Sequence, residues 1–250
     1  MESSRPIVLL TGLGRSIGIA AGIAEQLARD GWDIAFVYNA EYDATLNGGA
    51  GDVKGIEESL RALGAQTLAI NADLAEPEVA TAVFDVAETL GPVSALVLSH
   101  AHSVNATLLT ETIEGFDRHF AVNTRASWLL MRELARRFIG TSGRIVALTS
   151  DAIDGEIAYG ASKGALDRLV RAAAAEFGPL GISANLLNPG PIDTGWMTQQ
   201  IREWGIEQTP AGRLGTPADI AALVSFLLSE RGGWISGQLL KADGGFSTYR

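Results

Sequence analysis

The run Ile7-Val-Leu-Leu-Thr11 leads directly into Gly12-Leu-Gly-Arg-Ser-Ile-Gly18, and Ile19, Ile23 and Leu27 follow at helical spacing. A short apolar run, a glycine-rich turn and an amphipathic helix, in that order, make a βα unit. In such a unit the backbone N–H groups of the turn and the positive end of the helix converge on one place, where a pyrophosphate is held. Thr11, Gly12, Arg15, Ser16, Ile17 and Gly18 are therefore candidate cofactor-binding residues.

The alternation continues along the chain. Ile34 to Tyr38, Thr67 to Ile70, Ala95 to Leu98, Ile145 to Leu148, Ile182 to Leu187 and Gln238 to Leu240 read as further strands. Helices are expected near 52–63, 76–90, 112–138, 159–178 and 217–229, the last opened by Thr216 as N-cap with Pro217 at the first helical position. Strands that alternate with helices predict an α/β fold, a Rossmann-type doubly wound domain around a parallel sheet. No linker, charge block or repeat divides the chain, so residues 1–250 are read as one domain. Asn39 to Gly55, rich in Gly and Asn, is long for a βα connection and is expected to form a surface flap.

Composition narrows the partners. With 250 residues, 47% of them apolar and 19% charged, the chain can bury a full core. A formal charge of -10 repels phosphate backbones and anionic lipid, which argues against nucleic acid and membrane surfaces as partners. The absence of cysteine and the presence of only 3 histidines argue against a disulfide framework and against a thiolate or zinc site, so no metal is expected. The apolar run Ile7 to Leu10 is too short for a signal or spanning helix, and a cytoplasmic location is expected.

Two details bear on chemistry. NAD sites place an acid at the end of the second strand, on the ribose 2′-hydroxyl. Here Tyr38 and Asn39 stand at that point, the first carboxylate is Glu41, and Arg15 offers a cation to a 2′-phosphate; the pattern favours NADP(H) over NAD(H). Further on, Tyr159-Gly-Ala-Ser-Lys163 opens a helix and puts both functional side chains on one face. A tyrosine titrates near 10, so acid or base work at neutral pH needs a nearby cation to favour the phenolate, and Lys163 is such a cation.

Thr11 to Gly18, Asn123 within Ala-Val-Asn-Thr-Arg125, Ser150 after the fifth strand, Tyr159 with Lys163, Asn188-Pro-Gly190 and Asp243-Gly-Gly245 occur in that order over nearly the whole chain. In this the sequence resembles the short-chain dehydrogenase/reductases. The resemblance implies a seven-stranded parallel sheet, a homotetramer, and hydride transfer between a nicotinamide cofactor and a small-molecule carbonyl or secondary alcohol, with reduction as the working direction. It also implies roles. Tyr159 gives or takes the proton, Lys163 binds the nicotinamide ribose and lowers the tyrosine pKa, Ser150 orients the carbonyl, and Asn123 holds a water in a proton relay. Asp73 with Leu74 contacts the adenine, Ser99, His100 and Ala101 pack the cofactor ribose, and Pro189, Gly190, Ile192 and Thr194 close over the carboxamide. The general likeness is to carbonyl and 3-oxoacyl carrier-protein reductases.

Three departures stand out. The family's Asn-Asn-Ala-Gly is here Leu98-Ser-His-Ala101, so both amides are gone and His100 is either a tuner or a filler of space. Ser16 replaces the second glycine of the turn. Ser150 and Tyr159 are closer than is usual in that family, and Asp151 and Asp154 in the short loop read as a solvated turn. Trp196, Met197 and Trp204 fall in the variable substrate lid, about 191–215, where they contact substrate or pack against the body. His102 and His119 read as surface or core residues. The alternatives are a nucleotide-binding regulator that kept the fold without turnover, opposed by Asn123, Ser150, Tyr159 and Lys163 together, and a dehalogenase-like relative without nucleotide, opposed by Lys163.

Overall fold

The structure is a computed structural model that describes residues 5–46, 51–195 and 197–249. The strands β1 (Ile7–Thr11), β2 (Asp33–Tyr38), β3 (Thr67–Asn71), β4 (Val93–Leu98), β5 (Gly143–Leu148), β6 (Ile182–Asn188) and β7 (Leu239–Lys241) form one parallel seven-stranded sheet in the order β3-β2-β1-β4-β5-β6-β7. Between them run α1 (Ile19–Arg29), α2 (Ala40–Leu46), α3 (Val53–Ala62), α4 (Val79–Ala87), α5 (Ile113–His119), α6 (Ser127–Arg137), α7 (Ile157–Phe177), α8 (Gln199–Gln208) and α9 (Pro217–Leu228).

Successive residues of a strand point to opposite faces, and here both faces are covered. Ile7 and Leu9 of β1 join Phe84 of α4, Leu130 of α6 and Val170 of α7 in one core layer. Val8 and Leu10 join Ile23 and Leu27 of α1, Leu60 of α3 and Val224 of α9 in the other. This is why β1 is apolar at four successive positions: a strand buried on both sides has no polar face to alternate with. Each Leu or Phe so buried is worth about 2–3 kcal/mol, which fixes the side on which each helix lies. Connections leave β1 and β4 toward opposite faces, and the gap between them at the carboxyl edge of the sheet is the crevice where such folds bind ligands.

Two expectations change. The segment 39–55 is not simply a surface flap: Ala40–Leu46 is helical, and Asn39 accepts from the Tyr42 N–H at 3.0 Å as its cap, while Asp52 accepts from the Gly55 N–H at 2.9 Å and caps α3. Asn and Asp mark loops and helix caps alike, which is why the sequence reads there as loop. The stretch 112–138 is two α-helices joined by a π-helical turn, Phe120–Ala126. The stretch 191–215 contains a helix, α8, and the Ile192–Gly215 bridge joins its ends. Trp196 lies outside the described residues.

Candidate active site

A cavity of about 390 Å³ opens at the carboxyl ends of β1, β4 and β5. Its floor depends on Gly12, which has a φ of +81° and lies so close to the next strand's end that a Cβ there would sit 2.8 Å from the His100 backbone. Glycine alone meets both demands. Gly18 is the N-cap of α1 and carries no side-chain cap, and the first turn holds no acid. The N–H groups at the start of α1 therefore face the cavity without a competing carboxylate from their own helix, which fits the phosphates of a dinucleotide. Gly12, Arg15 and Gly18 line the cavity, whereas Ser16 and Ile17 sit exposed on its outer rim.

Thr11 and His100 explain the altered loop after β4. Thr11 Oγ1 accepts from the Ser99 N–H at 3.2 Å and lies 2.6 Å from His100 Nδ1, while His100 Nε2 lies 3.0 Å from the Val122 carbonyl. A neutral ring protonated on Nε2 satisfies both contacts. Burial, and then the charge of Lys163, lower the His100 pKa to about 3, so the neutral form is the one present. The imidazole thus crosslinks β1, the loop after β4 and the π-helical turn. Ser99, His100 and Ala101 all line the cavity.

Asn123 sits in the π-helical turn, fully buried, and grips the next residue of that loop at both ends. Its Oδ1 accepts from the His102 N–H at 2.7 Å, and its Nδ2 donates to the His102 carbonyl and to Ser162 Oγ, each at 2.9 Å. All three polar contacts are internal, so the side chain acts by holding the cavity wall. His102 itself faces the cavity and packs its ring 4.6 Å from His119 and 5.7 Å from Tyr42.

Ser150, Tyr159 and Lys163 come together where β5 meets α7. Lys163 is 2% exposed, and its Nζ donates to the Leu148 carbonyl at 2.9 Å and lies 5.8 Å from the Tyr159 ring centroid. Burial lowers its pKa to about 8, against which Asp167, held by the Thr149 hydroxyl at 2.6 Å, favours the charged form. Burial and the Glu156 carboxylate raise Tyr159 to about 12, opposed by a side-chain hydrogen bond with Ser150, so the lowering expected from Lys163 is not seen: burial of the phenol outweighs it. The short spacing therefore still brings Ser150 to the phenol. Lys241 Nζ lies 3.0 Å from Asp151 at the surface of that loop, so Asp151 is an exposed turn residue with an ion-pair partner, and Asp154 is exposed as well.

At the other end of the cavity Asp73 and Leu74 line the wall with Tyr38 and Asn39. The Asp73 carboxylate accepts from Arg118 at 3.0 and 2.9 Å and from the Ala75 N–H at 3.0 Å. Pro189 and Thr194 reach the cavity, while Gly190 packs against Asp243 and Ile192 is buried. Trp204 lays its ring against Phe246, 5.9 Å away, and so packs on the body. Sequence reasoning missed Tyr42, Asp43, His102 and Arg118 as lining residues; the Asn39 cap was the one local signal that α2 exists. Among the described residues no group of three or more His, Asp and Glu side chains is placed to hold a metal, and no helix is long and apolar enough to cross a membrane.

A crevice that presents an uncapped helix end on one side and a tyrosine–lysine pair on the other belongs to the nucleotide-dependent oxidoreductases of doubly wound fold. The family model described as enoyl-(acyl carrier protein) reductase matches residues 12–247. The chain is a member of the short-chain dehydrogenase/reductase family. It is 34% identical to the uncharacterized oxidoreductase YjdA of Bacillus subtilis over 98% of each chain. It is 33% identical to the NADPH-dependent aldehyde reductase-like protein, chloroplastic, of Arabidopsis thaliana, covering 96% of this chain and 93% of that one. A short chain dehydrogenase from Burkholderia cenocepacia, solved in complex with NADP, superposes with a TM-score of 0.85 at 31% identity over 97% of each chain.

Proposed function

We propose that the protein is an NADP(H)-preferring reductase of ketones or related small carbonyl compounds, assembled as a homotetramer in the cytoplasm, the compartment expected from its cysteine-free sequence. The observation that carries this reading is the meeting of Ser150, Tyr159 and Lys163 beside a crevice that Arg15 also lines. The bound dinucleotide supplies the hydride.

The chain's own residues supply the rest. With its pKa near 12, Tyr159 is a phenol at neutral pH and is set to donate a proton to a carbonyl oxygen, which fits reduction. Ser150 hydrogen-bonds the phenol and can share the same oxygen. Lys163, charged below about pH 8, stabilises the phenolate left behind. Gly12, Gly18 and the start of α1 would hold the phosphates, Asp73 and Leu74 would flank the adenine, and Pro189 and Thr194 would face the nicotinamide end. The Burkholderia cenocepacia relative's NADP and the NADPH in the Arabidopsis relative's name support the choice of nucleotide.

Fluorescence titration and single-turnover kinetics test the proposal. NADPH is expected to bind about tenfold tighter than NADH, because a charge-assisted contact exceeds a neutral one by about 1–2 kcal/mol, and Arg15→Ala is expected to erase that margin. Tyr159→Phe should keep nucleotide binding and lose about a hundred- to ten-thousandfold in hydride transfer to an active carbonyl. Retention of more than about a tenth of the rate would sink the assignment of Tyr159. Binding without turnover on any carbonyl would favour a nucleotide-binding regulator.

A further inference from the structure

The end of β2 lacks the carboxylate that reads a ribose 2′-hydroxyl in NAD sites, yet a carboxylate reaches that end of the crevice by another route. Asn39 caps α2, and the Asp43 N–H donates back to the Asn39 carbonyl at 3.0 Å, one turn along the helix. That turn carries the Asp43 side chain onto the glycine-rich loop. A Cβ built on Gly14 would lie 1.8 Å from Asp43 Oδ2, so the carboxylate rests against the backbone immediately before Arg15. Asp43 is only 9% exposed and lines the cavity together with Gly14, Arg15, Tyr38 and Asn39. Next to it, Tyr42 packs its ring 5.7 Å from His102, on the far wall of the crevice. Two successive residues of α2 therefore touch both walls, one on the loop after β1 and one on the loop after β4.

We infer that Asp43 is a specificity-determining residue for the adenosine ribose, a carboxylate delivered from α2 that opposes a 2′-phosphate and offsets the attraction Arg15 exerts on it. The physical basis is direct. A 2′-phosphate carries close to two negative charges, and Arg15 attracts it, but Asp43 repels it from a buried position where water screens little. The carboxylate's charge already acts on the Arg15 guanidinium, favouring its charged form against the burial that lowers its pKa. A dinucleotide with a plain ribose meets no such repulsion, and its 2′-hydroxyl can donate to the carboxylate. The inference rests on the reading of this cavity as a dinucleotide site, but not on which dinucleotide the unaltered protein prefers.

The experiment is an equilibrium titration of the full-length protein and its Asp43→Asn variant with NADPH, NADH, adenosine 2′,5′-bisphosphate and AMP. Removing the charge is expected to tighten NADPH and the bisphosphate about tenfold while NADH and AMP change less than about twofold. In an Arg15→Ala background that gain is expected to shrink, because with the guanidinium gone the phosphate is no longer held beside position 43. A ratio of NADPH to NADH affinity that stays constant or falls on substitution would overturn the inference, as would equal tightening of all four ligands, which would mean that α2 only obstructs the crevice. Should Asp43→Asn fail to give a cooperative thermal melt, Asp43→Ser provides the same uncharged comparison. An unaltered protein that binds NADH more tightly refutes the NADP(H) preference and leaves the shift in ratio to decide the role of Asp43. Failure of the unaltered protein to bind either dinucleotide overturns the dinucleotide reading and this inference with it.

Discussion

Lys163, proposed above to stabilise the tyrosine phenolate, costs stability where it stands. Its ammonium is buried and donates to the Leu148 carbonyl, and its pKa falls from 10.5 to about 8 because burial disfavours the charge. The unfolded chain therefore binds this proton more tightly than the native one. Below pH 8 both states are protonated and the full cost of burying the charge is present; between pH 8 and 10.5 the native state sheds the proton first, and the cost is relieved as pH rises. Lys163→Met is accordingly expected to raise stability at pH 7 by on the order of 1–2 kcal/mol, after the lost hydrogen bond is discounted, while abolishing turnover. Urea unfolding from pH 7 to 10 measures it, and a gain that is absent or grows with pH refutes the account. In the unaltered protein, carbonyl reduction should decline as pH rises through about 8, when Lys163 loses the charge that stabilises the phenolate. Tyr159 and Lys163 were legible in the sequence because a helix fixes the relation of residues four apart. The role of His100 was not, because its partners Thr11 and Val122 stand 89 and 22 positions away.

At the scale of elements, the π-helical turn is the part of the frame that sequence periodicity could not show. The stretch 112–138 keeps a helical apolar pattern across the break, so one continuous helix was expected. The widened turn carries Asn123, which fixes both backbone groups of His102 and the hydroxyl of Ser162. Asn123→Ala takes that partner from the half-buried His102 N–H and carbonyl, while Ser162 Oγ keeps its bond to the Tyr159 carbonyl, and is expected to cost about 1–3 kcal/mol. It should also reduce turnover, because Ser162, whose hydroxyl Asn123 holds, stands next to Lys163 on α7. A loss below about 0.5 kcal/mol in urea unfolding contradicts the anchoring role. By contrast, the Lys241–Asp151 pair is exposed, with side-chain exposures of 38% and 56%, and Lys241→Ala should change stability by less than about 1 kcal/mol. The strands and most helices were readable because burial on both sheet faces leaves long apolar runs, whereas α2 was hidden by the Asn and Gly residues around it.

For the whole molecule, the surface decides what the fold does with its apolar excess. Trp128 and Leu129 of α6 and Leu166 and Leu169 of α7 are the apolar residues that these two helices bring toward one sheet face or leave outside it. Leu129 and Leu166 are in fact buried in the core layer over that face, Leu169 packs against it, and Trp128 alone of the four is exposed, at 45%. The stronger signal lies just before and along α5, where Leu108 is 82% exposed, Leu109 96% and Ile113 78%, with Phe116 stacked on Phe120 at 4.7 Å. Apolar side chains exposed in such a run are costly for a monomer in water and are what an interface between copies covers. Burial of a Leu or Ile in an interface is worth about 1.5–3 kcal/mol per protomer, so a few of them shift an assembly across the micromolar range. Light scattering of the unaltered protein at micromolar concentration is expected to give close to four times the 26.3 kDa protomer mass. Leu109→Asp combined with Ile113→Glu is expected to lower that mass while leaving the thermal melt cooperative, since neither side chain supports the core. A protomer-sized species in the unaltered protein refutes the tetramer, and an unchanged mass in the double variant shows that this surface is not where the copies meet.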